Sequence, residues 1–424
     1  MTAYLANPRC DRTLPYGEAQ RAILSLAASA QAAAEIGHWP GYTPTPLVRL
    51  PGLARSLGLG TVLLKDESER FGLGSFKALG GAYGVRRLLA REGRPPAGIV
   101  VTCATDGNHG RAVAWGARVF GCRAVIYLHE NVSAARESAI AAYGAKTVRT
   151  TGNYDDGVRQ CAEEATRNGW FVVSDTAWPG YEDVPRDVMQ GYTVMVGEVL
   201  AQVAARERPT HVLIQGGVGG LAAAVLAHFW ETQGAARPFL IMVEPKRADC
   251  LYRSAQAGKR VTITGTLDTI MAGLACGEPS ILAWKILDRG ADAFLAIEDE
   301  WAMQAMRRLA APAAGDVSVE AGESGAAGLA GLLALRTEPK LFDQTGLDAS
   351  SRVLVFNTEG ATDPEIYSDI VYGGGATVGD PRKAKTILIS DLPQPHEWRR
   401  QGLEFSGKRR EAIAPELSAD RSDG

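Results

Sequence analysis

The chain has 424 residues, 46% of them hydrophobic and 22% charged, with a formal net charge of −3. That is enough chain for two or three domains and an ample core, in the composition range of ordinary globular proteins. With no basic surplus and no Lys/Arg run, nucleic acid is not expected as a partner.

In chain order, "MTAYLANPRCDR" lacks a charged stretch leading into an apolar one, so no secretory signal is expected. "AILSLAASAQAAAEIG" (22–37) is interrupted by Ser, Gln and Glu; it reads as an ordinary helix, and no membrane span is expected. Seven apolar runs then read as buried strands: "TVLLKD" (61–66), "GIVVTCAT" (98–105), "RAVIYLH" (123–129), "WFVVSD" (170–175), "THVLIQ" (210–215), "FLIMVE" (239–244) and "RVLVFNTE" (352–359). Helical patterns cover 110–120, 133–143, 154–168, 187–205 and 220–233. This alternation predicts an α/β fold with parallel sheets covered by helices on both faces. No internal repeat is visible. The polar end "EAIAPELSADRSDG" is expected to fray. The six cysteines form no CxxC pair, so free thiols in the cytoplasm are expected.

Glycine is the compositional outlier, at 48 residues, many of them clustered. Clustered glycine marks turns of positive φ or backbone packed close against something. Four loaded turns follow four strands: "DGNHG", "DTAW", "GGVGG" and "NTEG". Ligands of open α/β sheets bind beyond the carboxyl ends of strands, so these turns predict one shared cleft.

"THVLIQGGVGGLAAAVLAHFW" reads as strand, glycine loop and helix. Amides at a helix start, with the positive end of its dipole, favour an anion. Gly216, Gly217, Val218, Gly219 and Gly220 are therefore candidates to hold a phosphate. No Lys-Ser/Thr follows, which excludes a P-loop. The loop also satisfies a dinucleotide fingerprint, Gly217-x-Gly219-x-x-Ala222, with Glu244 ending the next strand. An NAD-dependent dehydrogenase thus stays open, as does a plain structural turn.

"ERFGLGSFKALGGAYG" (69–84) sets Lys77 behind Phe76 and ahead of a glycine pair. A lysine that carries an aldehyde cofactor must be buried enough to lose its proton. Phe76 would give an aromatic wall, and the glycines room for a cofactor ring. Taken alone, Lys77 reads as a surface residue of an amphipathic helix; beside "TDGNHG" and "GGVGG" the cofactor reading gains weight.

These motifs resemble the pyridoxal-phosphate enzymes of the tryptophan-synthase-β type, fold type II, and within them the 2,3-diaminopropionate ammonia-lyase family. The resemblance also rests on "DTAWPGYEDVP", "MQGYTVM", "VEPKRADCLYRS", "IMAGLACGEPS", "ESGAAGL" and "FNTEGATDPEIY", in that order over about residues 40 to 373. It implies two open, parallel-rich twisted sheets with the cofactor in a cleft between domains. The larger domain would comprise 1–85 and 195–373, the smaller 86–194, and 374–424 a partly disordered extension. It implies a homodimer acting on a small amino-acid substrate. Lys77 would carry pyridoxal 5′-phosphate and exchange a proton at the substrate Cα. Asn108 would bind the ring's phenolic oxygen, and Thr358 would face the pyridine nitrogen.

Asp106 would be the second base, on the opposite face of Cα, so that both D- and L-substrate react; by itself Asp106 reads as a turn residue. Asp175 would take the β-ammonium, although it also reads as a cap after a strand. His109 would touch substrate or cofactor, or simply start a helix. No metal is expected. The implied reaction turns 2,3-diaminopropionate into pyruvate and two ammonia. A dehydratase of serine, threonine or hydroxyaspartate on the same fold, and a catalytically degenerate cofactor-binding protein, are the alternatives. Cys250 and Cys276, in segments that resemble the family's substrate-side loops, are expected near each other at the cleft mouth.

Overall fold

The computed structural model describes residues 2–105, 107–130, 132–152 and 154–373. Asp106 and the segment 374–424 lie outside the described residues. Among those described, eleven strands form two sheets. They are β1 (Ala3–Ala6), β2 (Leu47–Arg49), β3 (Thr61–Asp66), β4 (Val100–Ala104), β5 (Arg123–His129), β6 (Lys146–Thr150), β7 (Phe171–Val172), β8 (His211–Gln215), β9 (Phe239–Pro245), β10 (Ala293–Ile297) and β11 (Arg352–Asn357). The seven-stranded sheet runs β1-β10-β9-β8-β11-β3-β2, and the four-stranded sheet β6-β5-β4-β7. All pairs are parallel except the two edges, β1 against β10 and β2 against β3. Antiparallel edge strands on an otherwise parallel sheet are common in large α/β folds.

The main core lies on the seven-stranded sheet. Val62, Leu64, Leu213, Ile241, Val243, Leu295 and Val355 meet Leu329, Leu332 and Leu335 of the helix Ala327–Arg336, all buried. These strands are apolar along their whole length because a parallel sheet is covered on both faces.

The helix Lys77–Glu92 sits between the helices Asn108–Phe120 and Asp183–Gln202. Its glycine pair explains how closely they cross. A Cβ on Gly80 would lie 2.7 Å from the Val188 carbonyl oxygen, and one on Gly81 would lie 2.8 Å from Ala112 Cβ. The pair therefore makes room for two neighbouring helices, which corrects the expectation that it makes room for a cofactor ring.

The segment leading to Lys77 is held from below by a buried ion network. Arg70 donates to Glu67 Oε2 at 2.7 Å and to Glu198 Oε1 at 2.8 Å, and Lys65 Nζ donates to Glu198 Oε2 at 2.6 Å. Buried charges persist only when paired in this way. Ahead of Lys77, Phe76 N donates to Thr358 O at 3.0 Å, and Ser75 bridges Glu359. The lysine turn is thus stitched to the end of β11.

Candidate active site

One cavity of about 770 Å³ is lined by Lys77, Asn108, His109, Asp175, the Gly217–Gly220 loop and Thr358. These come from the ends of β4, β7, β8 and β11 and from the first residue of the helix Lys77–Glu92. Gly216 is not on its surface. Its amide donates to Val243 O at 2.8 Å, and a Cβ there would run into Met242 and Glu244.

Lys77 Nζ donates to Asp175 Oδ2 at 2.5 Å and lies 5.4 Å from the Phe76 ring centroid. Burial disfavours the ammonium, but the Asp175 carboxylate, with Tyr192 and the hydrogen bond, outweighs it and the amine is raised above its ordinary value. This reverses the expectation that burial strips Lys77 of its proton: a charged partner in contact overrides desolvation. In return, burial pushes Asp175 up while Lys77 and then His109 pull harder, holding the carboxyl below the usual range. Burial pushes the phenol of Tyr192 up, opposed by Lys77.

His109 is buried, and its Nε2 lies 2.7 Å from Val173 O. A carbonyl only accepts, which assigns the proton to Nε2 and leaves Nδ1 as an acceptor. Among the described residues, Nδ1 has no hydrogen-bond partner. Burial lowers this imidazole despite Asp175 nearby, so the ring is neutral.

At the start of the helix Asn108–Phe120, Asn108 Nδ2 donates to Glu359 Oε2. Glu359 Oε1 also accepts from Ser324 N at 3.0 Å. Thr358 Oγ1 accepts from Gln215 Nε2 at 3.2 Å, which leaves the hydroxyl proton of Thr358 to donate. Gln215 is itself fixed by the carbonyls of Gly325 and Phe356, each at 2.8 Å.

Gly219 caps the helix Gly220–Gln233 at φ +92°, a left-handed conformation that favours glycine. Leu287 and Cys276 back the loop: a Cβ on Gly219 would lie 2.9 Å from Leu287 Cδ1, and one on Gly217 3.3 Å from Cys276 Sγ. First-turn amides of a helix have no carbonyl partner within it, a geometry suited to holding an anion. Glu244 has no such freedom. It is fully buried and accepts from Leu251 N at 2.9 Å and Tyr252 N at 2.7 Å. It caps the helix Cys250–Ala257, so the residue that a dinucleotide site needs for ribose is already spent.

These residues fit pyridoxal phosphate. An amine for the aldehyde, an amide cradle for the phosphate and a hydroxyl for the ring nitrogen face one cavity. Residues 38–359 match the model of the family described as "Pyridoxal-phosphate dependent enzyme". The chain belongs to that family. Its cofactor is pyridoxal 5′-phosphate, its fold is type II, and it is an enzyme family, which removes the dehydrogenase alternative. The diaminopropionate ammonia-lyase of Escherichia coli K12 is 43% identical over 354 residues, spanning 79% of this chain and 88% of that protein. The E. coli enzyme's crystal structure with an aminoacrylate-PLP azomethine reaction intermediate has a TM-score of 0.81 at 39% identity, covering 88% of this chain and 97% of that one. Its complex with D-serine gives 0.81 at 38% identity, with the same coverage.

Sequence reasoning missed Gln215, Tyr192 and Glu359. Gln215 and Glu359 carried a signal, being polar residues at or just past the end of buried strands next to a loaded turn. Tyr192 lies in the quoted segment "MQGYTVM", but only the helix crossing brings it to Lys77. Cys250 and Cys276 both approach Gly217 without forming a disulfide: Cys250 Sγ lies 3.6 Å from Gly217 O, and Cys276 faces the cavity. Cys250 is fully buried behind the loop and not at a mouth.

Proposed function

We propose that the protein eliminates ammonia from D- and L-2,3-diaminopropionate, giving pyruvate and two ammonia. The observation that carries this reading is a lysine and a phosphate cradle on one cavity, in a chain 43% identical to an E. coli diaminopropionate ammonia-lyase across 79% of its length. Pyridoxal phosphate, when bound, supplies a conjugated ring that withdraws electrons and acidifies the Cα–H.

The residues divide the remaining work. Lys77 Nζ would hold the cofactor and move the Cα proton of one enantiomer. Asp106 would take the Cα proton of the other enantiomer, on the opposite face. Asp175, already the anion beside an ammonium, would hold the substrate's β-ammonium once Lys77 is engaged, and His109 Nδ1 adds an acceptor on the same side. Asn108 would donate to the phenolic oxygen. Thr358 would donate its free proton to the pyridine nitrogen, favouring an unprotonated ring. Gly217, Val218, Gly219 and Gly220 would hold the phosphate, with Gly216 closing the loop behind them.

Further parts of the reading concern assembly. We propose that 86–194, built around the four-stranded sheet, forms a smaller domain inserted in the larger one, and that the enzyme is a cytoplasmic homodimer. Sedimentation of the full chain checks the dimer.

The deciding experiment counts products from D- and L-diaminopropionate, serine and threonine. Two ammonia per pyruvate from the diamine, with hydroxy acids turned over far more slowly, supports the reading. Faster turnover of serine or threonine with one ammonia per keto acid would make the protein a dehydratase.

A further inference from the structure

Asn108 reaches the larger sheet through Glu359. That carboxylate is 6% exposed, and its two oxygens meet donors from different elements: Oε2 takes Asn108 Nδ2, and Oε1 takes Ser324 N at 3.0 Å. The backbone of Glu359 is pinned as well, since its carbonyl accepts from Gly322 N at 2.9 Å and Ser75 bridges it on the other side. The carboxylate is therefore fixed before any ligand arrives.

A side-chain amide has a donor end and an acceptor end of nearly equal size. A carboxylate fixed with both oxygens accepting from N–H donors admits only the NH₂ end of the amide beside it. One N–H of Asn108 is used on Glu359; the second remains on the same nitrogen, at the cavity wall. Without the carboxylate the amide could turn over and present its oxygen.

We propose that Glu359 is a positioning residue that sets the Asn108 amide with its NH₂ end toward the cofactor, so that Asn108 donates to the phenolic oxygen of pyridoxal phosphate. This rests on the role proposed for Asn108 above. Glu359→Gln keeps the shape but has a single acceptor oxygen for two donors, so either Asn108 or Ser324 N goes unpaired.

The experiment titrates pyridoxal phosphate into the full chain and reads both affinity and visible spectrum for wild type, E359Q, N108A and the double variant. E359Q is expected to weaken cofactor binding ~10-fold, the size of one unpaired buried group, and to move the visible band. E359D, one methylene shorter, should move both in the same direction. The double variant should bind no worse than N108A, because residues acting through one another are not additive. An unchanged band and affinity in E359Q, or penalties of E359Q and N108A that simply add, overturns the proposal. If N108A alone changes neither, the Asn108 role itself falls, and this inference with it.

Discussion

On one side of the cavity, the Gly217–Gly220 loop offers backbone amides at the start of a helix. On the other, Lys77 with Asp175 and Asn108 with Glu359 offer side chains locked in an ion pair and a hydrogen bond. The first wall is set by φ angles and by the packing of Leu287 and Cys276 behind it, and Gly217, Val218, Gly219 and Gly220 themselves carry no ionisable side chain. The second is held by a balance between burial and opposite charge, so protons and single substitutions can move it. The loop wall is rigid, and the side-chain wall is adjustable.

The strongest way to break the comparison is to remove the reacting amine. Lys77→Ala should lose the visible cofactor band and the covalent adduct that borohydride traps. Turnover should fall by at least ~10⁴-fold, the upper end for losing a general base, since the attachment point goes too. The phosphate cradle should survive, so the variant should still bind the cofactor without covalent linkage. If the same adduct forms on the variant, Lys77 is not the attachment point.

The rigid wall is tested by charge. Gly217→Asp sets a carboxylate against a phosphate; at 4 Å and an effective dielectric of 20, one pair of unit charges repels by about 4 kcal/mol, or ~10³ in affinity. Gly217 is the better position than Gly219, where positive φ and the 2.9 Å approach to Leu287 would add strain. Circular dichroism should show a folded chain and a cofactor titration the loss. Wild-type affinity would move the phosphate site elsewhere.

Asp106→Asn probes the second base. General-base loss costs ~10²–10⁴-fold, here expected for D-diaminopropionate only, with substantial turnover of the L-isomer retained. Equal losses for both would give Asp106 a structural or cofactor role.

The same contrast explains what could be read in the chain. The glycine loop and the lysine segment are contiguous patterns, each ambiguous alone and pointing to a cofactor only when taken together. The long apolar strands were legible because they too are contiguous. Four strands were not: β1 and β2 are short edges, β6 reads "KTVRT" with alternating polar residues, and β10 reads "AFLAI", where alanine has weak strand preference. Their state is decided by the neighbouring strand. These pairings were invisible because Lys77 and Asp175 are 98 residues apart and Asn108 and Glu359 are 251 apart. The ring pocket expected from Gly80 and Gly81 failed likewise: the glycines answer to Tyr192, Val188 and Ala112, which only the helix crossings bring there.

The smallest expected effect tests whether the adjustable wall also titrates. Glu323 is 3% exposed and stands next to Glu359. Burial first, then the Glu359 charge, raises its carboxyl from 4.5 to about 7, with Asp363 adding to the shift and Arg136 opposing it. The folded chain therefore holds a proton that the unfolded chain gives up near 4.5. Its stabilising contribution is fully present below pH 4.5, declines as pH rises, and is gone above 7; a shift of that size corresponds to about 3 kcal/mol. Glu323→Gln has no proton to lose, so its stability should stay flatter from pH 4.5 to 8, and it should overtake wild type at the alkaline end by a few degrees in Tm. Urea unfolding at a series of pH values measures the slope directly. Parallel curves for the two proteins would mean that Glu323 is ionised in the folded chain at neutral pH, and that the Asn108–Glu359 wall carries two adjacent negative charges in place of one.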